Sequence, residues 1–381
     1  MRADRNLNVL VIGQNVRHIA SSAARAGFVV SAADCYRDLD LVEFVSQSFS
    51  LDGDPSIPGD LVRAAEDLIR RDLDLDSVDA LVLGPGVEEM KVGGVRVLNN
   101  PPEKISKVSD KLWLARWLDR EGFASVPTRP LGADLDPWGY PLMVKPRKGA
   151  GGAENRLVTS DEDLAILKGD LIIQKMVEGM PASVSVIADG KEAVAISANE
   201  QLIGTDWLGG NGFCYCGNIS PLDIAPDDPA LAEMRKVAEE IAVGLGLVGS
   251  NGIDFILTDS GPAVLEVNPR FQGSLDAVEL STGMNLFLAH LQSFDGRLPE
   301  RPKPRGFGGR GVLFAKDDLK IGADLRSVSR WITDVPRPGS FAKRGDPVTS
   351  VISFGENRKR AVDLLLSRSS AIYRACRLWR I

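Results

Sequence analysis

The first apolar run of the chain, Asn8-Val-Leu-Val-Ile-Gly13, closes on a glycine and leads into an alanine-rich stretch from Val16 to Ala26. Gly27 stops that helix and Phe28-Val-Val-Ser-Ala-Ala-Asp34 begins a second strand, which predicts a βαβ unit of the parallel-sheet type. Asp79-Ala-Leu-Val-Leu-Gly84-Pro-Gly86 reads as a later strand of the same sheet, leaving its carboxyl end on glycines. A first, Rossmann-like domain is expected over residues 1–100.

The pattern then changes. Ser109 is expected to cap a helix whose Leu112, Ala115 and Leu118 share a face until Gly122. Pro141-Leu-Met-Val-Lys145 is an apolar strand ending in lysine, followed by a glycine-rich turn, Lys148-Gly-Ala-Gly-Gly-Ala153, and a return strand through Arg156-Leu-Val158. Leu171-Ile-Ile-Gln174-Lys-Met-Val177 is another strand, and Ser183-Val-Ser-Val-Ile-Ala188 alternates as a half-buried strand does. Asp228-Pro229 opens an amphipathic helix through Leu231, Met234, Ala238, Ile241 and Leu245. Gly252–Leu257 and Pro262–Asn268 form a hairpin across Thr258-Asp-Ser-Gly261. These elements delimit a second domain over residues 101–296. Pro, Arg and Gly then mark a boundary before a small β-rich C-terminal lobe, 297–381, with a strand at Val348–Phe354 and a final helix. The fold class expected is α/β, with the second domain of α+β type.

Composition narrows the classes of function. The chain has 381 residues, enough for two to four sub-domains, with 44% hydrophobic and 25% charged residues, as in an ordinary globular protein. A net charge of −7 lacks the basic surplus of a nucleic-acid partner. There are four cysteines, and only Cys214 and Cys216 are close-spaced, with His18 and His290 distant, so no zinc pattern or disulfide scaffold is present and the reading is a reducing cytoplasm. The start of the chain runs straight into a strand, and no apolar run is long enough to span a bilayer, so neither a leader nor a membrane partner is expected. The turn Gly13-Gln-Asn-Val-Arg17 has one glycine where a dinucleotide fingerprint needs three, which argues against NAD.

Candidate chemistry concentrates in the hairpin. Glu266 and Asn268 are two apart on a strand and leave the same face, opposite that of Leu265 and Val267, while Asp254 on the partner strand comes opposite them. Two carboxylates and an amide oxygen on one sheet face are hard-oxygen ligands suited to Mg²⁺, with Mn²⁺ as the alternative, and leave positions for phosphate oxygens. Arg270 follows, an always-charged group able to stabilise negative charge near the metal. Lys145 and the glycines after it can wrap phosphates with backbone N–H groups and a point charge, although Gly-x₄-Gly-Lys-Ser/Thr is absent. Lys111 on its own carries no signal.

Together, Lys111, Lys145 with its glycine-rich flap, Gln174-Lys-Met-Val177-Glu-Gly179, and Asp254…Glu266-x-Asn268-Pro-Arg270 resemble the ATP-grasp superfamily in order and approximate spacing, over roughly residues 8–295. The resemblance is nearest to the branch of biotin carboxylase, the carboxyaminoimidazole synthetases and carbamoyl-phosphate synthetase, and more narrowly to the predicted carboligases. Residues from about 307 to 375 resemble the C-terminal lobe of biotin carboxylase-like and glycinamide-ribotide-synthetase-like members. The resemblance implies a two-lobed domain over 101–296 with a mobile lid at about 125–178. It implies that Lys111 and Lys145 contact ATP phosphates, that Gly149, Gly151 and Gly152 form the flap, and that Gln174, Lys175, Met176 and Val177 form the adenine-reading hinge. It further implies that Asp254, Glu266 and Asn268 bind Mg²⁺ and that Arg270 stabilises an acyl phosphate. Three features depart from the pattern: Ala150 and Ala153 in the flap, Met180-Pro-Ala182 where many members place a ribose-holding acid, and Gly252-Ile253 where peptide-type ligases carry arginine.

The implied activity is an ATP-dependent ligase that makes an acyl phosphate from a small-molecule carboxylate, releases ADP, and passes the acyl group to an amine or other nucleophile. A bicarbonate-using carboxylase and a nucleotide-binding protein without turnover are the alternatives, and a homodimer stays open. Asn199 to Asn218, rich in glycine, amides and aromatics (Trp207, Phe213, Tyr215), reads either as an acceptor-binding loop or as an irregular surface loop. The basic C-terminal helix, from Arg358 to Arg380, reads as a docked helix with a solvated face in preference to an RNA or lipid contact.

Overall fold

A computed structural model describes residues 7–57, 59–136, 138–149, 151–152 and 154–381. Expectations resting on Met1–Asn6, Ala150 and Ala153 fall outside the described residues.

The N-terminal region is a parallel sheet in the order β3-β2-β1-β4. Its strands are β1 (Asn8–Ile12), β2 (Val29–Asp34), β3 (Gln47–Ser50) and β4 (Ala80–Leu83), with α1 (Arg17–Arg25), α2 (Leu39–Phe44) and α3 (Asp60–Asp72) between them. Val9 to Ile12 and Ala80 to Leu83 are all buried, as strands covered on both faces must be. Two short helices follow, α4 (Pro102–Val108) and α5 (Lys111–Glu121). The cap of α5 is Asp110, not Ser109: the Asp110 carboxylate accepts from the N–H groups of Leu112 and Trp113, while Ser109 ends α4. Both residues are good caps, and the chain breaks between the helices one residue later than expected. Leu114 and Trp117 extend the buried stripe beyond Leu112 and Leu118, and Ala115 is half-buried.

The smaller antiparallel sheet follows, in the order β5-β8-β6-β7. It is built from β5 (Thr128–Pro130), β6 (Leu142–Pro146), β7 (Arg156–Val158) and β8 (Leu171–Lys175), with α6 (Asp161–Ala165) alongside.

The larger sheet begins with β9 (Met180–Asp189), β10 (Ala193–Ile203) and β11 (Tyr215–Ser220). α7 (Pro229–Gly244) precedes the hairpin β12 (Val248–Thr258) and β13 (Gly261–Asn268), and α8 (Leu275–Thr282) and α9 (Leu286–Ser293) follow it. Next come β14 (Phe307–Phe314), β15 (Leu319–Lys320), β16 (Ile332–Thr333), β17 (Phe341–Ala342), β18 (Pro347–Gly355) and α10 (Arg358–Cys376). The large sheet has eight strands in the order β13-β12-β9-β10-β11-β14-β18-β16, so it runs on across residue 296.

Two expectations change here. β9 is buried on both faces, with Ser183 and Ser185 enclosed along with Val184 and Val186, because helices cover the sheet on the two sides. Its polar positions are satisfied internally: Asn199 on β10 donates to the hydroxyls of Ser183 and Ser185. The segment Asn199–Asn218 begins and ends in strand, leaving residues 204–214 as the connection, and Asn199 and Asn218 are fully buried. Among the described residues no helix is long and apolar enough to cross a membrane.

Candidate active site

The hairpin carries its two acids side by side, with Asp254 paired across the ladder to Glu266 and Gly252 to Asn268. The register shifts between Asp254 and Phe255, where the partner changes from Glu266 to Val264 and Leu265 is left as the extra residue of a bulge. In consequence Val264 and Val267, three apart, both enter the core, and Leu265 stays half-buried and does not share Val267's burial. The bulge turns Glu266 and Asn268 toward the cleft without exposing their apolar neighbours.

Around this pair the charges are arranged closely. Asn268 Nδ2 donates to Asp254 Oδ2 at 3.1 Å and to Glu266 Oε1 at 3.4 Å. Lys111 Nζ lies 3.7 Å from Glu266 Oε2 and donates to Gly149 O at 2.7 Å, so one lysine, at the first turn of α5, touches both the acid pair and the glycine-rich turn. Burial and the neighbouring Glu266 push the Asp254 carboxyl well above the usual range, with a hydrogen bond from Gln201 and the charge of Arg270 opposing. Glu266 moves the other way: burial would raise it, but Lys111 and Lys145 hold it below its ordinary value. The two adjacent carboxylates thus shift in opposite directions, as coupled like charges do. Lys145, at the end of β6, is buried, and burial lowers it to about 8 against the pull of Glu266.

This donor set fits a hard divalent cation. Two carboxylates with an amide beside them supply oxygen ligands, and a cation between them would offset the repulsion that raises Asp254. Asn268 would offer Oδ1 after a half-turn of its amide, since its NH₂ now faces the acids. Among the described residues no group of three or more His, Cys, Asp or Glu is gathered for a metal, which leaves this two-acid, one-amide set.

The glycine-rich turn touches both Lys111 and the start of β11. Gly149, Gly151 and Gly152 all have positive φ, and a Cβ on Gly152 would lie 2.2 Å from Phe213 O, so only glycine fits there. Gly151 O accepts from the N–H of Tyr215, and Lys148 Nζ donates to Ser106 Oγ at 2.7 Å. Arg147 at the base of the turn forks onto Asp110. Gln174 is buried on β8, donating to Thr128 Oγ1 at 2.9 Å; Lys175 ends that strand, and Met176 and Val177 follow it in an irregular stretch.

Arg270 sits beyond Asn268 with its Nε 2.8 Å from Glu88 Oε1. Glu88 and Gln201 carried no signal in the sequence, because each reaches the site from an element far away in the chain. Tyr215, at the start of β11, was noted only as an aromatic of the connecting segment. Its hydroxyl donates to Asn218 Oδ1, and burial pushes it up to about 12 against the nearby Arg310. The charge of Asp254 adds to the same upward shift.

A family model described as an ATP-grasp domain matches residues 108–274. Residues 108–274 are an ATP-grasp domain. The segment contains every candidate residue from Lys111 to Arg270. An uncharacterised protein of Methanocaldococcus jannaschii is 27% identical over 373 residues, covering 94% of this chain and 91% of that protein. The 3-methyl-D-ornithine–L-lysine ligase of Methanosarcina barkeri is 26% identical over 233 residues, 58% of this chain and 60% of the ligase, so the chain spans about three fifths of that relative. Among solved structures, the biotin carboxylase domain of Hydrogenobacter thermophilus 2-oxoglutarate carboxylase, in complex with MgADP, ADP and bicarbonate, superposes with a TM-score of 0.74 at 17% identity. That match covers 95% of this chain and 89% of the other, and shows that the fold shared with that domain extends through the regions flanking 108–274.

Proposed function

We propose that this chain is an ATP-dependent ligase that phosphorylates a small-molecule carboxylate and transfers the acyl group to an amine. The observation that carries the reading is the acid pair Asp254–Glu266 with Lys111 and Lys145 against it, beneath a glycine-rich turn. Lys111 and Lys145 bind phosphate oxygens as point charges, and Gly149, Gly151 and Gly152 cover them with backbone N–H groups. Gln174, Lys175, Met176 and Val177 border the adenine. Asp254, Glu266 and Asn268 would hold Mg²⁺, which when bound neutralises charge on the transferring phosphates.

In the first step a carboxylate oxygen of the substrate attacks the γ-phosphorus, the bond to the β-phosphate oxygen breaks, and ADP leaves. In the second the acceptor nitrogen attacks the acyl carbon, inorganic phosphate leaves, and the nitrogen gives up its proton. Arg270 holds the acyl phosphate and the departing phosphate as anions. The relative named for joining 3-methyl-D-ornithine to L-lysine supports an amine acceptor.

A bicarbonate-using carboxylase is the second reading, favoured by the match to a biotin carboxylase domain over most of the chain. An ADP-release screen separates the two. Carboxylates paired with amines should release ADP only when a matching pair is present under the ligase reading. Bicarbonate-stimulated release without any other substrate would instead favour the carboxylase, and no release with either would defeat both.

A further inference from the structure

Arg270 comes just after the end of β13, in irregular backbone, on a long and flexible stem. A guanidinium that must meet an anion in flight is useful only if it already points the right way. Its backbone N–H donates to Asn268 O at 2.9 Å and its Nη1 to Phe271 O at 2.9 Å, contacts that fix the turn and one edge of the fork. The remaining restraint is Glu88, whose Oε1 is 2.8 Å from Nε.

Glu88 is itself held in place. Its second oxygen accepts the N–H of Gly86 at 2.7 Å, and Gly86 needs its positive φ to turn the chain at the carboxyl end of β4. Val87 and Met90, on either side, are buried in the core beneath that strand, so the turn is anchored and the carboxylate projects from it on a short lever. The two side chains are 19% and 17% exposed, which removes the pair from the solvent-screened class of surface bridges. With Nε against Glu88 and Nη1 bonded to Phe271 O, Nη2 is the nitrogen without a partner among the described residues.

We propose that Glu88 is a positioning residue: through its ion pair it sets the orientation of the Arg270 guanidinium and does not itself touch substrate. The proposal rests on the role given to Arg270 above. It also makes the turn after β4 part of the reaction machinery, so the N-terminal sheet contributes to catalysis.

A double-mutant cycle tests this, using ADP release with the best carboxylate–amine pair from the screen. Glu88→Gln, which keeps the shape and removes the charge, should lower kcat about 10- to 100-fold while the KM for ATP stays within about threefold. Glu88→Asp, which keeps the charge on a shorter arm, should recover part of that loss. Added to Arg270→Ala, Glu88→Gln should cost nothing further, because its effect passes through the arginine. An unchanged kcat in Glu88→Gln, or an equal loss in the Arg270→Ala background, overturns the proposal. Should the wild-type protein release no ADP with any substrate, the ligase reading fails, and the pair is still read by ¹⁵N NMR of the Arg270 Nε–H, assigned by its loss in Arg270→Ala. Its exchange with water should quicken at least about tenfold in Glu88→Gln, and an unaltered rate again overturns the proposal.

Discussion

Asp254 and Glu266 face each other across one rung of the hairpin, and their opposite shifts follow from what surrounds each: a buried like charge for one, two lysines for the other. Removing a ligand from such a set should cost several kcal/mol of transition-state stabilisation. Glu266→Gln or Asn268→Ala is therefore expected to lower ATP turnover at least about 100-fold while the circular dichroism spectrum stays native. Near-normal turnover in either variant would take the hairpin out of the active site. The spacing of Glu266 and Asn268 and the order of the lysines were legible, because a strand's period of two fixes which side chains share a face. The bulge at Leu265 was not, since its extra residue is defined by the partner strand's register. Glu88 was not legible either: local pattern says nothing about a contact made across domains.

The elements were read best where one residue type dictates geometry and worst where tertiary cover overrides alternation. Gly27 and Gly122, both at positive φ, end their helices as expected. β9 reads as half-buried by its serines, but neighbouring strands and helices enclose both faces. The long segment after Asn199 looked like a loop because of its amides and glycines, yet those amides serve a polar layer inside the large sheet. The glycine-rich turn behaves as an element of its own, and Gly152 is its most constrained position. Gly152→Ala should force the turn away from Phe213 and weaken Mg²⁺–ATP binding at least about tenfold by calorimetry. In the wild-type protein, Mg²⁺–ATP should slow hydrogen exchange in peptides spanning residues 146–156. Unchanged affinity in the variant, together with unchanged exchange, would mean that this turn is no lid.

Across the whole molecule, a buried ionic network ties the N-terminal sheet to the large one. Arg17 reaches Asp276 on α8 and Asp334 after β16, Arg310 on β14 reaches Asp334 at 2.7 Å, and Asp40 accepts the N–H groups of Asp334 and Val335. Asp38 lies in the same region with its Oδ2 lacking a partner among the described residues, and burial with the nearby Asp334 pushes it up to about 8. A folded-state value above the ordinary 3.8 means that the folded protein holds a proton the unfolded chain releases, so stability falls as pH rises from about 4 to about 8. Asp38→Asn should then raise stability by ~2 kcal/mol or more at pH 8, with the gain vanishing toward pH 4 in urea titrations. A gain independent of pH would contradict that assignment. The reaction proposed for the molecule makes one demand that no single residue carries: phosphate must pass from ATP to a carboxylate before the acceptor attacks. His18 and His290, the two histidines of the chain, are buried and held far below their ordinary values, to about 3 and about 4, which leaves a covalent acyl-enzyme without its usual base. With ¹⁸O in the substrate carboxylate, mass spectrometry of the released phosphate should find one labelled oxygen, alongside ADP; AMP, or phosphate without label, would contradict the account.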